Sequence, residues 1–218
     1  MPRVALKLVS FDLDGTLIHP AIFNAVADAL GFGEKLEETT RAYFEGRMSA
    51  DETFHADYKH FVGREVAPMR EALRASDRWT PGLAEAIGRL HDAGLHVVVT
   101  TDQPDWLAAA TQELFGVDGL VCSHGDLRHG RVAGTYRLEH DKWANLERYL
   151  SARGVAPSEA CHVGNGRNDV PVFRRVGWSL AVWPMHDDVR RGAAETLEKP
   201  RDADEIVERI LAAAKRMR

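Results

Sequence analysis

Two carboxylates, Asp12 and Asp14, stand one residue apart directly after an apolar run. Carboxylates this close repel each other unless a positive charge lies beside them, and a hard divalent cation such as Mg²⁺ suits that place best. With the cation and a lysine alongside, Asp12 could attack a phosphorus atom and become an aspartyl-phosphate. Asp14 could then give a proton to the leaving oxygen and later activate water. The pair therefore indicates phosphoryl chemistry at the end of the first strand.

Two further polar clusters follow apolar runs along the chain. Thr100 to Asp102 closes one run, Gly164 to Asp169 follows another, and Lys142 stands at the start of a helical stretch. Open α/β sheets bind their ligands outside the carboxyl ends of the strands. We therefore expect both clusters and the lysine to lie beside the acidic pair.

Each cluster also has an ordinary structural interpretation. Asp-Gly is a common turn pair, Thr100 and Thr101 are typical strand formers, and Asp169 could cap the helix that follows it. Lys142 alone could be a solvated lysine in a first helical turn. We favour Thr101 over Thr100 as the residue that faces the site, although a slip of one residue would invert the face. The functional interpretation rests on the presence of all the clusters in one chain.

Four apolar runs separated by helical stretches predict the fold class. The runs are Leu6 to Phe11, Leu95 to Thr101, Ala160 to Gly164 and Trp178 to Trp183. Runs that are apolar at nearly every position are typical of strands buried on both faces, as in parallel sheets. Strands that alternate with helices of about 10–15 residues indicate βαβ units. We predict an α/β protein with a doubly wound parallel sheet, and a short hairpin at Leu127 to Leu138.

The segment from residue 18 to 80 has no strand pattern and predicts helices throughout. Ser49 and Glu52 form the capping-box signature of one of them. A helical segment placed directly after the acidic pair suggests a cap domain. We therefore expect a cap of residues 18–80, inserted into a catalytic core of residues 1–17 and 81–218.

The composition bounds the function further. The 218 residues include 28 Lys and Arg against 33 Asp and Glu, a formal net charge of −5. This balance gives no excess of positive charge that would indicate binding to nucleic acid or to a membrane surface. Cys122 and Cys161 have neither disulfide-framework nor zinc-site spacing. The apolar residues before Asp12 are too few for a signal peptide or a membrane span. We expect a cytoplasmic protein whose partner is a small molecule, and the oligomeric state stays open.

The motifs, taken in order, resemble the four signature motifs of the haloacid dehalogenase superfamily. The matching residues are Phe11-Asp12-Leu13-Asp14-Gly15-Thr16-Leu17, Thr101, Lys142 and Gly164-Asn165-Gly166-Arg167-Asn168-Asp169. Within the superfamily, the helical insertion and the segment Gly130 to Thr135 are most similar to phosphoserine-phosphatase-like members. The resemblance implies a Rossmann-like core with a helical cap of the C1 type. It also implies dependence on Mg²⁺ and hydrolysis of a small phosphorylated metabolite, a phosphomonoester.

The resemblance assigns a role to each matching position. Asp12 would be the nucleophile and a metal ligand, and Asp14 would be the acid/base and give its carbonyl oxygen to the metal. Thr101 would hydrogen-bond the phosphoryl oxygens, and Lys142 would neutralise charge on the nucleophile and the phosphate. The other implied positions are Asn165 and Asp169 at the metal and Asp102 and Gly15 at the substrate.

Asn165 is the main departure from the family, which usually has aspartate after this glycine. The amide carbonyl of Asn165 can still bind a cation, with a lower expected affinity. Phosphoserine phosphatases also carry a substrate-binding glutamate where this chain has Ala21, and Asp57 stands near the place of their cap arginine. Both differences point away from phosphoserine itself. Candidates for lining the pocket from the cap are His19, Phe23, Arg47, Met48 and His55.

Three other functions stay open. A haloacid dehalogenase would use the same nucleophile without a metal, but it has no need of a carboxylate at Asp14. A phosphotransferase or phosphomutase would share every motif, and a phosphorylated acceptor in place of free phosphate would identify it. A catalytically weakened member that serves as a binding or regulatory protein is the third alternative, motivated by Asn165.

Overall fold

A computed structural model describes residues 5–139 and 141–217 of the chain. Seven strands occur in that part of the chain: β1 (Leu8–Phe11), β2 (His96–Pro104), β3 (Gly119–Arg128), β4 (Arg131–Arg137), β5 (Ala160–Gly164), β6 (Trp178–Val182) and β7 (Glu195–Leu197). They form one sheet of spatial order β4-β3-β2-β1-β5-β6-β7. All neighbours pair in parallel except β3 and β4, which form an antiparallel hairpin. The predicted α/β fold with a parallel sheet is confirmed.

Helices connect the strands and cover both faces of the sheet. The helices are α1 (Ile22–Ala29), α2 (Glu34–Phe44), α3 (Ala50–Tyr58), α4 (Val66–Arg74), α5 (Leu83–Asp92), α6 (Asp105–Phe115), α7 (Lys142–Ala152), α8 (Val170–Phe173), α9 (Asp187–Gly192) and α10 (Ala203–Met217). Leu8 and Val98 pack with residues of α7 and α8 on one face, and Val9 and Val97 belong to the larger core on the other. This two-sided burial explains why β1 and β2 are apolar at successive positions. None of the described helices has both the length and the apolarity to cross a bilayer.

Strand β1 lies where the winding of the sheet reverses. The chain runs from β1 to β2 and β3 on one side and later returns to β5 on the other. Phe11, the last residue of β1, stands opposite Val99 of β2 and Val163 of β5. Such a reversal leaves a crevice outside the carboxyl ends of the strands, where α/β proteins bind ligands. The residues that follow these three strands are therefore gathered at one edge.

The helical insert, residues 22–74 with α1 to α4, is joined to the sheet by two adjacent chain segments. The N–H of Thr80 donates to the carbonyl of Leu17 at 2.8 Å, and the N–H of His19 donates to the carbonyl of Arg78 at 3.0 Å. The chain thus enters and leaves the insert side by side. This pairing coincides with the boundaries predicted from sequence, and the division into two domains stays a prediction.

Aromatic side chains hold the helical insert together and attach it to the sheet domain. The rings of Phe23 and Phe61 stack at 4.4 Å between centroids, and Phe54 lies 5.6 Å from Phe23. Trp106 of α6 lies 6.2 Å from Phe61, so the same cluster reaches the helix that follows β2. All four rings are buried. Burial on this scale makes the insert a packed part of the molecule rather than a loose loop.

Candidate active site

A cavity of about 470 Å³ opens between the helical insert and the carboxyl ends of β1, β2 and β5. Six of the eight predicted site residues line it: Asp12, Asp14, Gly15, Thr101, Asp102 and Asn165. The other two, Lys142 and Asp169, are buried directly behind Asp12. The structure thus brings together residues that are up to 157 positions apart in the chain, from Asp12 to Asp169.

Asp12 is the first residue after β1, and its backbone extends the sheet by one bond, from its N–H to the carbonyl of Val163. Its side chain is 7% exposed. The ammonium of Lys142, at the first turn of α7, donates to Asp12 Oδ1 at 2.7 Å and to Asp169 Oδ1 at 2.7 Å. One buried cation is therefore shared by two buried carboxylates.

The electrostatics of this cluster leave Asp12 short of positive charge. Burial raises the pKa of Asp12 well above its ordinary value, Asp169 raises it further, and Lys142 only partly opposes both. Burial alone would lower the pKa of Lys142, but Asp12 and Asp169 outweigh it and raise that pKa. Burial would likewise raise the pKa of Asp169, but Lys142 and His162 bring it below its ordinary value. Asp169 is therefore the ionised partner of the lysine, and a further cation beside Asp12 would favour the ionised form that can act as a nucleophile.

Both carboxylate oxygens of Asp169 accept hydrogen bonds from protein donors. Its Oδ2 accepts the N–H groups of Asn165 and Gly166, each at 2.9 Å, and its Oδ1 accepts Lys142 and the ring of His162 at 3.0 Å. We predicted Asp169 as a metal ligand, but its carboxylate is fully buried and directed at protein donors. The geometry favours an indirect role, in which Asp169 holds the lysine and shapes the turn that carries Asn165.

Asp14 is held between two donors on different elements. Its Oδ1 accepts the N–H of Ile22, at the start of α1, at 2.8 Å, and its Oδ2 accepts Nε2 of Gln103 at 2.5 Å. Burial raises the pKa of Asp14 to about 6, although these two hydrogen bonds act to lower it. A carboxyl group with a pKa near neutrality can both donate and accept a proton under ordinary conditions.

The two threonines of β2 point to opposite faces of the sheet. The hydroxyl of Thr100 is hydrogen-bonded to that of Ser10 at 2.7 Å and is fully buried. Thr101 lines the cavity, and its Oγ1 accepts the N–H of Gln103 at 3.2 Å. Because side chains alternate along a strand, only Thr101 can present its hydroxyl to a ligand.

Asp102 lies at the cavity wall with half of its carboxylate unpaired. Asn168 donates to Oδ2 at 3.0 Å, and Oδ1 is buried with no hydrogen-bond partner among the described residues. Burial raises the pKa of Asp102. An ionised carboxylate would repel a phosphate, so a contact from this position to phosphoryl oxygens would come from its backbone N–H.

The oxygen donors that Asp12, Asp14 and Asn165 bring to the cavity fit Mg²⁺. Asp12 offers Oδ2, whose one described partner is Thr16 at 3.5 Å, and no described backbone N–H donates to the carbonyl of Asp14. The carboxamide of Asn165 lies at the cavity beside Gly15. Carboxylate, carbonyl and amide oxygens are the ligands this cation prefers. Among the described residues no three His, Cys, Asp or Glu side chains form a metal-binding group, so the neutral donors would have to contribute.

Glycine is needed at position 15 for two reasons, its backbone conformation and the close approach of Asn165. Its φ is +73°, and a Cβ there would lie 2.0 Å from Nδ2 of Asn165. Gly31 has the same backbone, with φ +74°, and open space around it. We expect Gly15→Ala and Gly31→Ala each to lose about 1–2 kcal/mol in urea unfolding, because both force alanine into the left-handed region. Only Gly15→Ala should also displace Asn165 and lower kcat/KM by about tenfold or more. Equal activity of the two variants would contradict a role for this close approach.

Several residues at the cavity were not predicted from sequence. Gln103 stands two residues after Thr101, so strand alternation could have indicated it. Tyr43 of α2 lines the cavity; burial raises its pKa to about 12, and the charges of Asp12 and Asp14 add to the effect. His162 lies behind Asp169 and does not line the cavity. It is a polar residue inside the otherwise apolar strand β5, and this could have indicated it from sequence.

The predicted cap candidates divide into two groups. His19 and Phe23 line the cavity. Arg47, Met48 and His55 do not line it: Arg47 pairs with Glu45 on the surface, and His55 hydrogen-bonds Tyr136. A helix turns its side chains through about 100° per residue, so membership of the insert alone cannot tell which of them face the site.

Comparisons with known proteins agree on the family. The model of the haloacid dehalogenase-like hydrolases matches residues 6–177. The chain is 30% identical to the phosphoserine phosphatase of Halobacterium salinarum, over 82% of this chain and 87% of that protein. It is 26% identical to the phosphoserine phosphatase of Methanocaldococcus jannaschii, over 94% and 97%. A match of 28% to the Streptomyces coelicolor phosphoserine phosphatase covers 82% of this chain but only 44% of that protein.

Solved structures show the same fold. A phospho-aspartyl intermediate analogue of phosphoserine phosphatase superposes with a TM-score of 0.78 at 22% identity, over 94% of this chain and 99% of that one. A hydrolase of the same superfamily from Salmonella enterica superposes with a TM-score of 0.80 at 18% identity, over 90% and 69%. At these identities the likeness concerns the fold alone.

Proposed function

The chain belongs to the haloacid dehalogenase-like hydrolases and is a phosphatase of that family, and from this premise we propose that it hydrolyses a small phosphomonoester through an aspartyl-phosphate on Asp12, with Mg²⁺ as cofactor. One observation carries the proposal. The carboxylate of Asp12 lies at the floor of the cavity, 2.7 Å from the buried ammonium of Lys142, with Asp14 two residues further on.

The first step transfers the phosphoryl group to the enzyme. A carboxylate oxygen of Asp12 forms a bond to phosphorus, and the bond from phosphorus to the ester oxygen breaks. The leaving oxygen takes a proton from the carboxyl group of Asp14, and the alcohol departs. The ammonium of Lys142 and the hydroxyl of Thr101 are the groups available to stabilise charge on the nucleophile and on the phosphoryl oxygens.

The second step releases phosphate. A water molecule attacks the phosphorus of the aspartyl-phosphate while the carboxylate of Asp14 takes its proton, and the bond between phosphorus and Asp12 breaks. Inorganic phosphate leaves, and both aspartates return to their starting protonation states. The helical insert covers the cavity and limits the access of other water molecules.

Asp12, the carbonyl of Asp14 and Asn165 would hold Mg²⁺. When bound, the cation would supply positive charge that offsets the negative charges of the nucleophile and the phosphate. This agrees with the shortage of positive charge around Asp12, where one lysine serves two carboxylates.

Asn165→Asp is expected to lower the Mg²⁺ concentration for half-maximal activity by about tenfold, because a charged ligand replaces a neutral one. The measurement is phosphate release across a magnesium titration, together with the rise in melting temperature that Mg²⁺ produces in each protein. Asp102→Asn, which removes a charge from the same wall, controls for general electrostatics. An unchanged half-saturation in Asn165→Asp would argue against a direct ligand role.

A phosphate-release screen over metabolite esters tests the proposed function. We expect release from at least one ester in the presence of Mg²⁺. Transfer of phosphate to an acceptor in place of release would identify a phosphotransferase. Failure of every ester at high Mg²⁺ would favour a binding or regulatory role, the alternative that Asn165 motivates.

A further inference from the structure

One face of α3, in the helical insert, forms a wall of the cavity. Ala50, Thr53, Phe54 and Asp57 all line the cavity. Their spacing of three, four and seven residues places them on one side of the helix. A substrate whose phosphate lies at Asp12 would direct the rest of its structure towards the helical insert, so this wall is where the alcohol portion of the substrate can be recognised.

The charges of the lining residues have one sign. The described lining residues include five aspartates and neither lysine nor arginine. Lys142, the cation nearest to the chemistry, lies behind Asp12 and is already shared by two carboxylates. An anionic group on the alcohol portion would therefore find no charged partner in the described cavity and would face several like charges.

Asp57, on the α3 wall, is an acidic group without an ion-pair partner among the described residues. It is 3% exposed, and its one described hydrogen-bond donor is the hydroxyl of Thr39. The cation that acts on it is the exposed Lys59, and no described ion pair includes Asp57. A buried carboxylate with a single neutral donor is unfavourable for the folded protein. A cationic ligand in the cavity would correct this imbalance.

Two neighbouring features suit the same ligand. Phe23 and Phe54 line the cavity, with ring centroids 5.6 Å apart, and aromatic rings attract ammonium groups as well as the methylene groups attached to them. Gln103, 9% exposed, also lines the cavity, and its Oε1 has no described partner while its Nε2 is committed to Asp14. The Oε1 of Gln103 is therefore a buried acceptor at the cavity that lacks a donor among the described residues.

We propose that the substrate is an aminoalkyl phosphomonoester, whose ammonium group pairs with Asp57 beside Phe23 and Phe54 and whose alcohol portion carries no carboxylate. This inference rests on the proposed phosphatase function and adds the class of substrate. It assigns Asp57 as a residue that determines specificity.

Three esters of similar size test the charge preference. O-Phosphoethanolamine and propyl phosphate differ in one group, an ammonium against a methyl, and O-phosphoserine adds a carboxylate to the amine. We expect kcat/KM for O-phosphoethanolamine to exceed that of each of the other two by about tenfold or more, as for a charge-assisted hydrogen bond. Equal or better hydrolysis of propyl phosphate or O-phosphoserine would overturn the proposal.

Asp57→Asn tests the assigned residue. The ratio of kcat/KM for O-phosphoethanolamine to that for propyl phosphate should fall by about tenfold. Asp92→Asn, the same chemical change at an exposed position of α5, should leave the ratio as in the unaltered protein. Burial raises the pKa of Asp57 to about 6, above the ordinary 3.8, so the ionised carboxylate destabilises the fold above that pH. The neutral amide should therefore melt no lower than the unaltered protein at pH 7.5, and an unchanged ratio would overturn the proposal.

A binding measurement separates this inference from the catalytic one. Calorimetry would compare 3-aminopropylphosphonate with butylphosphonate, which again differ by an ammonium against a methyl and cannot be hydrolysed as esters. We expect the amine to bind about tenfold more tightly, and Asp57→Asn to remove that difference. A preference for the amine without hydrolysis of any ester would contradict the proposed phosphatase function but not the charge preference. Equal binding of the two phosphonates, or no binding of either, would contradict the charge preference even if esters are hydrolysed.

Discussion

Asp12→Asn is expected to abolish phosphate release, with a fall in kcat of about 10⁴-fold or more, as for the loss of a catalytic nucleophile. The amide has the shape of the carboxylate but cannot form the bond to phosphorus. Lys142 keeps its contact with Asp169 in the variant, so the buried cation stays paired. The measurement is phosphate release at saturating Mg²⁺ from the best ester of the screen.

The control for this variant is Asp92→Asn, which changes an exposed aspartate of α5 in the same way. Its activity should match that of the unaltered protein. Mass spectrometry of acid-quenched protein should detect a phosphorylated peptide containing Asp12 in the unaltered protein and lose it in Asp12→Asn. Activity that survives in Asp12→Asn would show that another group attacks phosphorus.

Lys142→Met is expected to remove both activity and stability. The side chain of Lys142 is 1% exposed and contacts Asp12 and Asp169 at 2.7 Å each. Methionine fills a similar volume but leaves two buried carboxylates without their cation, a loss of about 3–5 kcal/mol in the free energy of unfolding. The activity should fall by about 10³-fold or more, because charge on the nucleophile and phosphate is no longer neutralised.

The pH dependence of this loss distinguishes electrostatics from packing. In the unaltered protein Lys142 lowers the pKa of Asp169. The ionised Asp169 therefore stabilises the fold at every pH above its unfolded pKa of about 3.9, and this stability is lost only below that pH. In Lys142→Met the buried carboxylates bind protons more readily than in the unfolded chain, which favours the variant as the pH falls. The difference between the two proteins should therefore shrink between pH 7.5 and pH 4 in urea unfolding.

A second substitution gives an independent check. Lys142→Met combined with Asp169→Asn removes one of the two unpaired carboxylates and should recover part of the lost stability without recovering activity. Lys35→Met, at an exposed position of α2, controls for the exchange of lysine for methionine. A loss of stability that is independent of pH and unchanged in the double variant would point to packing alone.

The middle of the sheet could be predicted from sequence, and its edges could not. β1 and β5 are buried at every position, so their apolar runs are unmistakable. β3 alternates between buried and more exposed residues in its first half, where it pairs with β2, and becomes exposed where it pairs with β4. The hairpin prediction, Leu127 to Leu138, therefore found β4 and only the last two residues of β3, and it missed that β3 extends the main sheet. β7 has only three residues, none fully buried, and gives no pattern.

The candidate site was predictable to the extent that it follows strand ends. Asp12 and Asn165 directly follow the apolar strands β1 and β5, and Thr101 lies in the second half of β2, so the fold rule alone brings them together. The placement of Asp169 behind the lysine, with no oxygen left for a metal, depends on the turn after β5 and on His162, which no spacing encodes. The position of Tyr43 at the cavity depends on how α2 packs across it, which no spacing in the sequence encodes.

The central position of β1 has a consequence for the order of folding events. Leu8 pairs with His96 on one side and with Ala160 on the other, so both partners of this strand are remote in sequence. The entropy of closing such long loops rises only slowly with their length, about 0.6 kcal/mol per doubling, but contacts of high sequence separation slow the search for the native state. The helices between residues 22 and 74 are 8 to 11 residues long and marginal on their own, so their stability comes from packing against one another. During synthesis, β1 lacks its second neighbour until residues 160–164 have been made, and until then its apolar edge is open to association with other chains.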